Sequence, residues 1–436
     1  MLHTNLSINE KGHLSFAGVD TVELAKEYKT PLYVLDEERI REKCRAYINS
    51  MKKYFGEDAQ ALYASKALSF KEIYRIVKDE NMSIDVVSGG EIYTAKEAGF
   101  PMERVYFHGN NKTDDEIAFA MDCGVGFFMA DCREELLAIS RIAGEKGITQ
   151  KIIMRLTPGI DTHTYEAVRT GQVDSKFGTA IETGQAIKMV EFALSLPNIL
   201  LEGFHAHVGS QVFDGETFCQ SAEIMIDFIA LVKKELGYEA KTLNLGGGFG
   251  VRYVESDPQL NIENSIKEIS VYVKNKCASA NVNMPRILME PGRSIVADAG
   301  LTLYSVGSVK TITGYKSYVA VDGGMGDNPR YALYGSLYSA LIANKADKEA
   351  SFKCTIAGKC CESGDLIAED IKLQECEKGD ILAVLTTGAY NYSMASNYNR
   401  IPRPPIVILK DGKSRIGVKR ETYEDVVKND MSGAIL

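Results

Sequence analysis

Eight short runs rich in β-forming residues, each followed by a stretch of helical periodicity, constrain this chain more than any other feature. The runs are Leu62 to Ala64, Ser83 to Val87, Arg104 to Phe107, Val125 to Met129, Lys151 to Arg155, Glu202 to His207, Thr242 to Leu245 and Arg286 to Met289. Amphipathic segments lie between them: Phe70 to Glu80, Thr113 to Cys123, Cys132 to Lys146, Gln185 to Leu196 and Glu216 to Leu236. In Glu116-Ile117-Ala118-Phe119-Ala120-Met121, apolar residues recur at helical spacing after an Asp114-Asp115 start. This alternation predicts an α/β fold with a closed (β/α)8 barrel rather than an open doubly wound sheet. The absence of G-x-G-x-x-G agrees with that choice. The fifth-to-sixth connection is long and contains Thr170-Gly171-Gln172-Val173-Asp174-Ser175-Lys176-Phe177-Gly178, which reads as a functional loop over the barrel rim.

The texture changes after about residue 298. Leu301 to Thr313, Ser317 to Val321, Phe352 to Ala357, Asp380 to Thr386 and Pro405 to Leu409 are β-rich runs between Gly, Pro and Asp turns, with few helical patterns. Leu14 to Phe16 and Pro31 to Leu35 are strand-like pieces before the barrel and are expected to pack with this C-terminal β domain. The expected division is a barrel over 36–298, with 1–35 and 299–436 forming the β domain.

At 436 residues, 45% hydrophobic and 25% charged, the chain has ordinary globular composition and length for a large core. A net charge of -9 disfavours non-specific binding to nucleic acid or anionic membranes. Met1 to Glu10 carries no apolar signal core, and no apolar run approaches the roughly 18 residues of a membrane helix, so a cytoplasmic chain is expected. The nine cysteines form no C-x-x-C and read as reduced thiols; a vicinal Cys360-Cys361 disulfide is not expected in a reducing compartment.

In (β/α)8 barrels chemistry collects at the C-terminal strand ends. Here those ends carry Lys66, Ser88-Gly89-Gly90-Glu91, His108, Asp131, Arg155, His207, Gly246-Gly247-Gly248-Phe249-Gly250 and Glu290-Pro291-Gly292-Arg293. Any one of these is ordinary for a solvated loop; the type and order of the set are not. An amine, a glycine cradle, an acid and a guanidinium are what pyridoxal phosphate needs: a Schiff-base amine, a phosphate cup, a partner for the pyridine nitrogen and a grip on a carboxylate. His205 and His207, two apart on one strand, would face one side, so an H-x-H metal pair is the competing reading. The other histidines are His3, His13, His108 and His163, and no carboxylate pair joins them at ligand spacing, so no metal site is expected. In the β domain, Gly324 to Gly335 surrounds Arg330 with turn residues, and Cys360-Cys361-Glu362-Ser363-Gly364-Asp365 sets a thiol beside a carboxylate.

Taken in order, these motifs resemble the diaminopimelate decarboxylases, fold-type III enzymes of the alanine racemase-like class. The resemblance runs from about Pro31 to Tyr392. The family's Tyr-Ala-x-Lys falls on Lys66, its Ser-Gly-Gly-Glu on Ser88 to Glu91, and its His-x-Gly-Ser-Gln on His207 to Gln211. Its phosphate glycines fall on Gly246 to Gly248, Glu-Pro-Gly-Arg on Glu290 to Arg293, Cys-Glu-Ser on Cys361 to Ser363 and Gly-Ala-Tyr on Gly388 to Tyr390. The chain departs from the pattern at Gly326, at Tyr331 and in the doubled Cys360.

The resemblance implies pyridoxal phosphate held by Lys66, stacked under His207, and bound by Ser210, Gly247, Gly248, Glu290, Gly292, Arg293 and Tyr390. It implies a homodimer in which one subunit's β domain delivers Cys361 and Glu362 to the other's barrel, with Cys361 the proton donor. The implied reaction turns meso-2,6-diaminopimelate into lysine and CO2. The distal end of that substrate pairs a carboxylate with an ammonium; Arg293, Arg330 and Tyr334 suit the first and Glu362 the second, and the resemblance also implies Tyr390 as a substrate-binding residue. Ornithine ends in an ammonium alone, which two arginines would repel, so an ornithine, arginine or broad diamino-acid decarboxylase is the alternative. Glu290 speaks against a racemase, since an acid at the pyridine nitrogen makes a strong electron sink. A non-catalytic regulatory relative would have lost Lys66 or Cys361, and both are present.

Overall fold

An apolar run flanked by turn signals becomes a strand buried on both faces, and Gln60–Ala64 is one: four of its five residues are buried. The computed structural model describes residues 1–160, 175–431 and 433. Gln60–Ala64, Ser83–Val86, Val105–Phe107, Phe127–Ala130, Gln150–Thr157, Ile199–His205, Thr242–Asn244 and Arg286–Met289 pair in that order, every pair parallel. The eighth strand pairs with the first through Leu288 and Met289, which closes the barrel. The expected (β/α)8 architecture is therefore present.

Local chemistry explains the helices between the strands. Asp114–Asp122 begins with a capping box: the Thr113 hydroxyl accepts from the Glu116 N–H, and the Glu116 carboxylate accepts from the Thr113 N–H. Gly89–Glu97 starts with two poor helix formers, so periodicity passes over it. Its start is set by the Ser88 hydroxyl, which accepts from the Glu91 N–H at 3.2 Å. Two helices run close to their expected bounds, Glu216–Leu236 and Arg133–Glu145.

The chain divides into two compact units, one of residues 41–251 with 258–295, the other of 1–40, 252–257 and 296–436. The first holds the barrel. In the second, the long strand Gly300–Ile312 pairs antiparallel with Leu32–Asp36 and Ile381–Leu385 through its first half, and with Lys316–Val321 through its second. Leu32–Asp36 also pairs with Ile406–Lys410, so the N-terminal strand is built into the C-terminal sheet, as expected. Leu14–Phe16 instead lies in a small sheet with Leu6–Ile8 and Val19–Asp20. It joins the same core by packing, in a cluster with Leu32, Val34, Leu301, Leu303, Leu385 and Val407. Burying each such side chain contributes roughly 1.5–3 kcal/mol. Among the described residues no helix is long and apolar enough to cross a membrane.

Of the loop expected over the rim, residues 170–174 lie outside the described residues, as does His163. Its described end is anchored to the barrel. Gly178 N–H donates to Asp131 Oδ1 at 2.9 Å, Thr157 Oγ1 donates to the Phe177 carbonyl at 2.6 Å, and the Arg155 guanidinium lies 4.3 Å over the Phe177 ring.

Candidate active site

The first barrel strand ends at Ala64, and Lys66 follows in a single 3-10 turn whose neighbours Ser65 and Ala67 are buried while the lysine is exposed. Two bonds fix that turn. The Ser65 hydroxyl donates to the Asp85 carbonyl, and Ala64 N–H donates to the Pro291 carbonyl at 3.1 Å, tying the lysine's base to the second and eighth strand ends. The Lys66 charge acts on Asp85, Glu91, His205 and His207. Burial pushes the Glu91 carboxyl up to about 7, against the pull of the Val87 N–H and of Lys66.

Glu290 is buried at the centre of this mouth. Asn244 Nδ2 donates to its Oε1 at 2.6 Å; His108 Nε2 lies 2.8 Å from Oε1 and His205 Nε2 3.3 Å from Oε2. Both imidazole nitrogens lie in close contact with the carboxylate, off the alignment of a regular hydrogen bond. Burial drives the His108 pKa down to about 4 and lowers that of His205. Burial works to raise Glu290, but its contacts with His108 and His205 win and hold it well below the ordinary range. Asp85 goes the other way, raised well above its usual value by burial and by Glu290. Two neighbouring buried carboxyls are thus pushed in opposite directions. The ligand atoms of His108, His205 and Glu290 lie within 4.8 Å of one another, close enough to share a metal ion. No spacing in the sequence joined these three, because they come from three different strand ends.

The sixth strand ends at His205, so the expected alternation does not reach His207, which lies in the following loop. There its Nδ1 accepts from Gly247 N–H at 3.2 Å, leaving the proton on Nε2. Gly246 N–H likewise donates to Asn244 Oδ1 at 2.9 Å. Only glycine fits this cradle: a Cβ on Gly247 would lie 2.0 Å from the Glu290 carbonyl oxygen, and one on Gly248, where φ is +118°, would lie 2.4 Å from that of Gly209. On the same rim, Arg293 is buried and donates through Nε and Nη2 to Ser210 Oγ at 3.2 and 3.0 Å. A Cβ on Gly292 would lie 2.8 Å from that of Ala64, so the Glu290–Arg293 turn packs directly on the lysine strand.

In the other unit, Arg330 opens the helix Arg330–Tyr334 and is only 7% exposed. Its guanidinium carbon lies 5.2 Å from the ring centres of both Tyr334 and Tyr390. Nη2 reaches Ser336 Oγ at 3.5 Å, and the buried Nε–H has no acceptor among the described residues. Such a group costs free energy until an acceptor arrives, and a carboxylate is the acceptor a guanidinium fork fits best. Cys360 and Cys361 lie in the loop between Phe352–Ala357 and Leu366–Leu373, not on a strand. Both thiols are free. Cys360 is half-buried, with its thiol pushed up to about 11 by burial and by Asp365. Cys361 and Glu362 are exposed, and the Cys361 N–H donates to Asn399 Oδ1 at 2.8 Å.

The barrel unit therefore gathers Lys66, His207, Ser210, Gly247, Gly248, Glu290, Gly292 and Arg293, and the other unit carries Arg330, Tyr334, Cys361, Glu362 and Tyr390. Sequence reasoning missed Asp85 and Asn244 and gave His108 and His205 no part beside Glu290. Its available signal was a polar residue inside an apolar run, in Ser83-Ile84-Asp85-Val86 and Thr242-Leu243-Asn244-Leu245.

Comparison with known proteins matches this geometry. The family model described as pyridoxal-dependent decarboxylase, pyridoxal binding domain, matches residues 37–297. The chain is 46% identical to diaminopimelate decarboxylase of Halalkalibacterium halodurans, over 98% of each chain. It is 45% identical to that of Bacillus subtilis, over 99% of this chain and 98% of the relative. Among solved structures, diaminopimelate decarboxylase of M. jannaschii in complex with L-lysine superimposes with a TM-score of 0.90 at 33% identity, over 99% of each chain. A buried acid, a glycine cradle and a lysine at one barrel mouth, with matching relatives along the whole length, lead to one assignment: the chain belongs to the diaminopimelate decarboxylase family of pyridoxal phosphate enzymes.

Proposed function

We propose that this chain removes one carboxyl group of diaminopimelate to give L-lysine and CO2, the last step of lysine biosynthesis, in the cytoplasm. The observation that carries the substrate is Arg330, a buried guanidinium between Tyr334 and Tyr390 with an N–H awaiting an acceptor. A distal carboxylate satisfies it; the bare distal ammonium of ornithine would be repelled.

The residues present fit pyridoxal phosphate: the cradle excludes any side chain, and Glu290 is a buried carboxylate. Bound there, the cofactor supplies an electron sink for the pair left when CO2 departs. Lys66 provides the amine for covalent attachment. Glu290 would accept the pyridine N–H, with Asn244, His108 and His205 around the acid. His207 would lie against the ring. Gly247, Gly248, Ser210, Gly292, Arg293 and Tyr390 would hold the phosphate side. Arg293, Arg330, Tyr334 and Tyr390 hold the distal carboxylate and Glu362 the distal ammonium. The C–CO2 bond breaks at the α-carbon, and the Cys361 Sγ–H proton replaces it there.

We take 36–298 as the cofactor-binding domain and 1–35 with 299–436 as the domain bearing Cys361 and Glu362. Two copies assemble as a homodimer in which each copy's Cys361 and Glu362 complete its partner's site.

The test is product analysis after incubation with meso-diaminopimelate, ornithine and arginine side by side, after borohydride has been used to fix the cofactor to Lys66 in a separate sample. Lysine from the first substrate alone supports the reading. Comparable turnover of ornithine, or cofactor fixed on another lysine, overturns it.

A further inference from the structure

The surroundings of Asp365 are built around its side chain. It is 3% exposed. Its Oδ1 accepts from Met325 N–H at 2.5 Å and its Oδ2 from Cys360 N–H at 2.6 Å. Its own N–H donates to the Glu362 carbonyl at 3.1 Å, and its carbonyl accepts from Gly358 N–H at 2.9 Å. One carboxylate therefore bridges two segments: the loop that carries Cys361 and Glu362, and the turn that leads through Asn328 and Pro329 into Arg330. A parallel backbone bond, Lys359 N–H to the Gly323 carbonyl at 2.9 Å, runs beside it.

The glycines around it show how little room the carboxylate leaves. A Cβ on Gly358 would lie 2.2 Å from Asp365 Oδ2, and one on Gly324 2.5 Å from Oδ1. The far side of the same turn is held by Asp327, which accepts from Gly324 N–H at 2.9 Å and from the Tyr304 hydroxyl at 2.5 Å. Tyr304 stands on Gly300–Ile312, so the bridge is referred to the central strand of its unit. Two half-buried N–H groups donating to one carboxylate make stronger and more directional bonds than neutral pairs, which suits a part that sets distances.

We propose that Asp365 is a positioning residue for substrate: its carboxylate fixes the Cys361–Glu362 loop against the turn that leads into Arg330 and so sets the spacing of the distal-group ligands. This rests on the reading of Arg330 and Glu362 as substrate ligands. A tie that served stability alone would lower the melting temperature and leave KM untouched. A tie that sets spacing moves KM in protein that is still folded and still loaded with cofactor.

The experiment uses the full-length enzyme carrying pyridoxal phosphate, in three variants. Asp365→Asn removes the charge and keeps the shape. Gly358→Ala keeps the charge and crowds the carboxylate. Arg330→Ala reports on the underlying substrate reading. Melting temperature, cofactor absorbance, kcat, KM for diaminopimelate and the rate of Cys361 alkylation by iodoacetamide, with and without lysine, are measured on each. Mass spectrometry of the Cys361 peptide separates it from Cys360. Asp365→Asn and Gly358→Ala should keep their cofactor, raise KM at least tenfold with a smaller change in kcat, and weaken lysine's protection of Cys361. An unchanged KM and unchanged protection in either folded variant, with Arg330→Ala impaired, overturns the positioning role alone. An unimpaired Arg330→Ala overturns the substrate reading beneath it.

Discussion

Cys360 and Cys361 are adjacent and chemically identical, and their surroundings separate them. Cys360 is half-buried beside Asp365 with its thiol pushed up to about 11, whereas Cys361 is exposed next to Glu362. Sequence alternation would separate the two by strand face, but they lie in a loop, so burial and the Asp365 carboxylate make the distinction instead. Cys361→Ala should retain its cofactor and lose turnover by roughly 10²- to 10⁴-fold, the range for a positioned acid. Cys360→Ala should stay within a few fold of the parent, as single-turnover kinetics of the two variants will show. On the proposed reading of Arg330, truncation takes the charged partner away from the substrate's distal carboxylate. Arg330→Ala should lower kcat/KM by the equivalent of about 2–5 kcal/mol, measured with diaminopimelate against the parent enzyme.

At the scale of the element, the turn from Gly324 to Asp327 carries a second testable charge. Burial pushes the Asp327 carboxyl up to about 7 from an ordinary 3.8, so between those values the folded chain holds a proton that the unfolded chain has released. A raised pKa gives stability that is full below pH 4 and is lost as pH rises through 7. Asp327→Asn removes that titration. Urea unfolding at intervals between pH 4 and 8 should show a flatter stability curve for the variant than for the parent. The cradle Gly246–Gly248 makes the complementary point about elements. Three glycines in a row look like flexibility, but each is demanded by a backbone oxygen where a Cβ would stand, 2.6, 2.0 and 2.4 Å away in turn.

For the whole molecule, the decisive question is whether one chain completes its own site. Lys66 lies in the barrel unit and Cys361 in the other unit. If sites are shared, mixing inactive Lys66→Ala with inactive Cys361→Ala should restore activity after subunit exchange, up to about one intact site in each mixed dimer. Exchange verified by mass without recovery would mean that each site is built within one chain. Most of the fold is legible in the sequence, because hydrophobic periodicity is local: all eight barrel strands lie where apolar β-rich runs occur, and Arg286–Met289 and Phe352–Ala357 match to the residue. So is the order of the motifs, since strand ends in a parallel barrel all open onto one rim. The alternation, the glycines and the chemical types at each strand end are thus local properties of the chain. It took the folded chain to bring Asn244, His108 and His205 onto Glu290, to push Asp85 and Glu290 in opposite directions, and to tie the cysteine loop to the arginine turn through Asp365. Those facts depend on distances between residues far apart in the chain and on how much water the folded protein removes from each charge, and neither is written in local spacing.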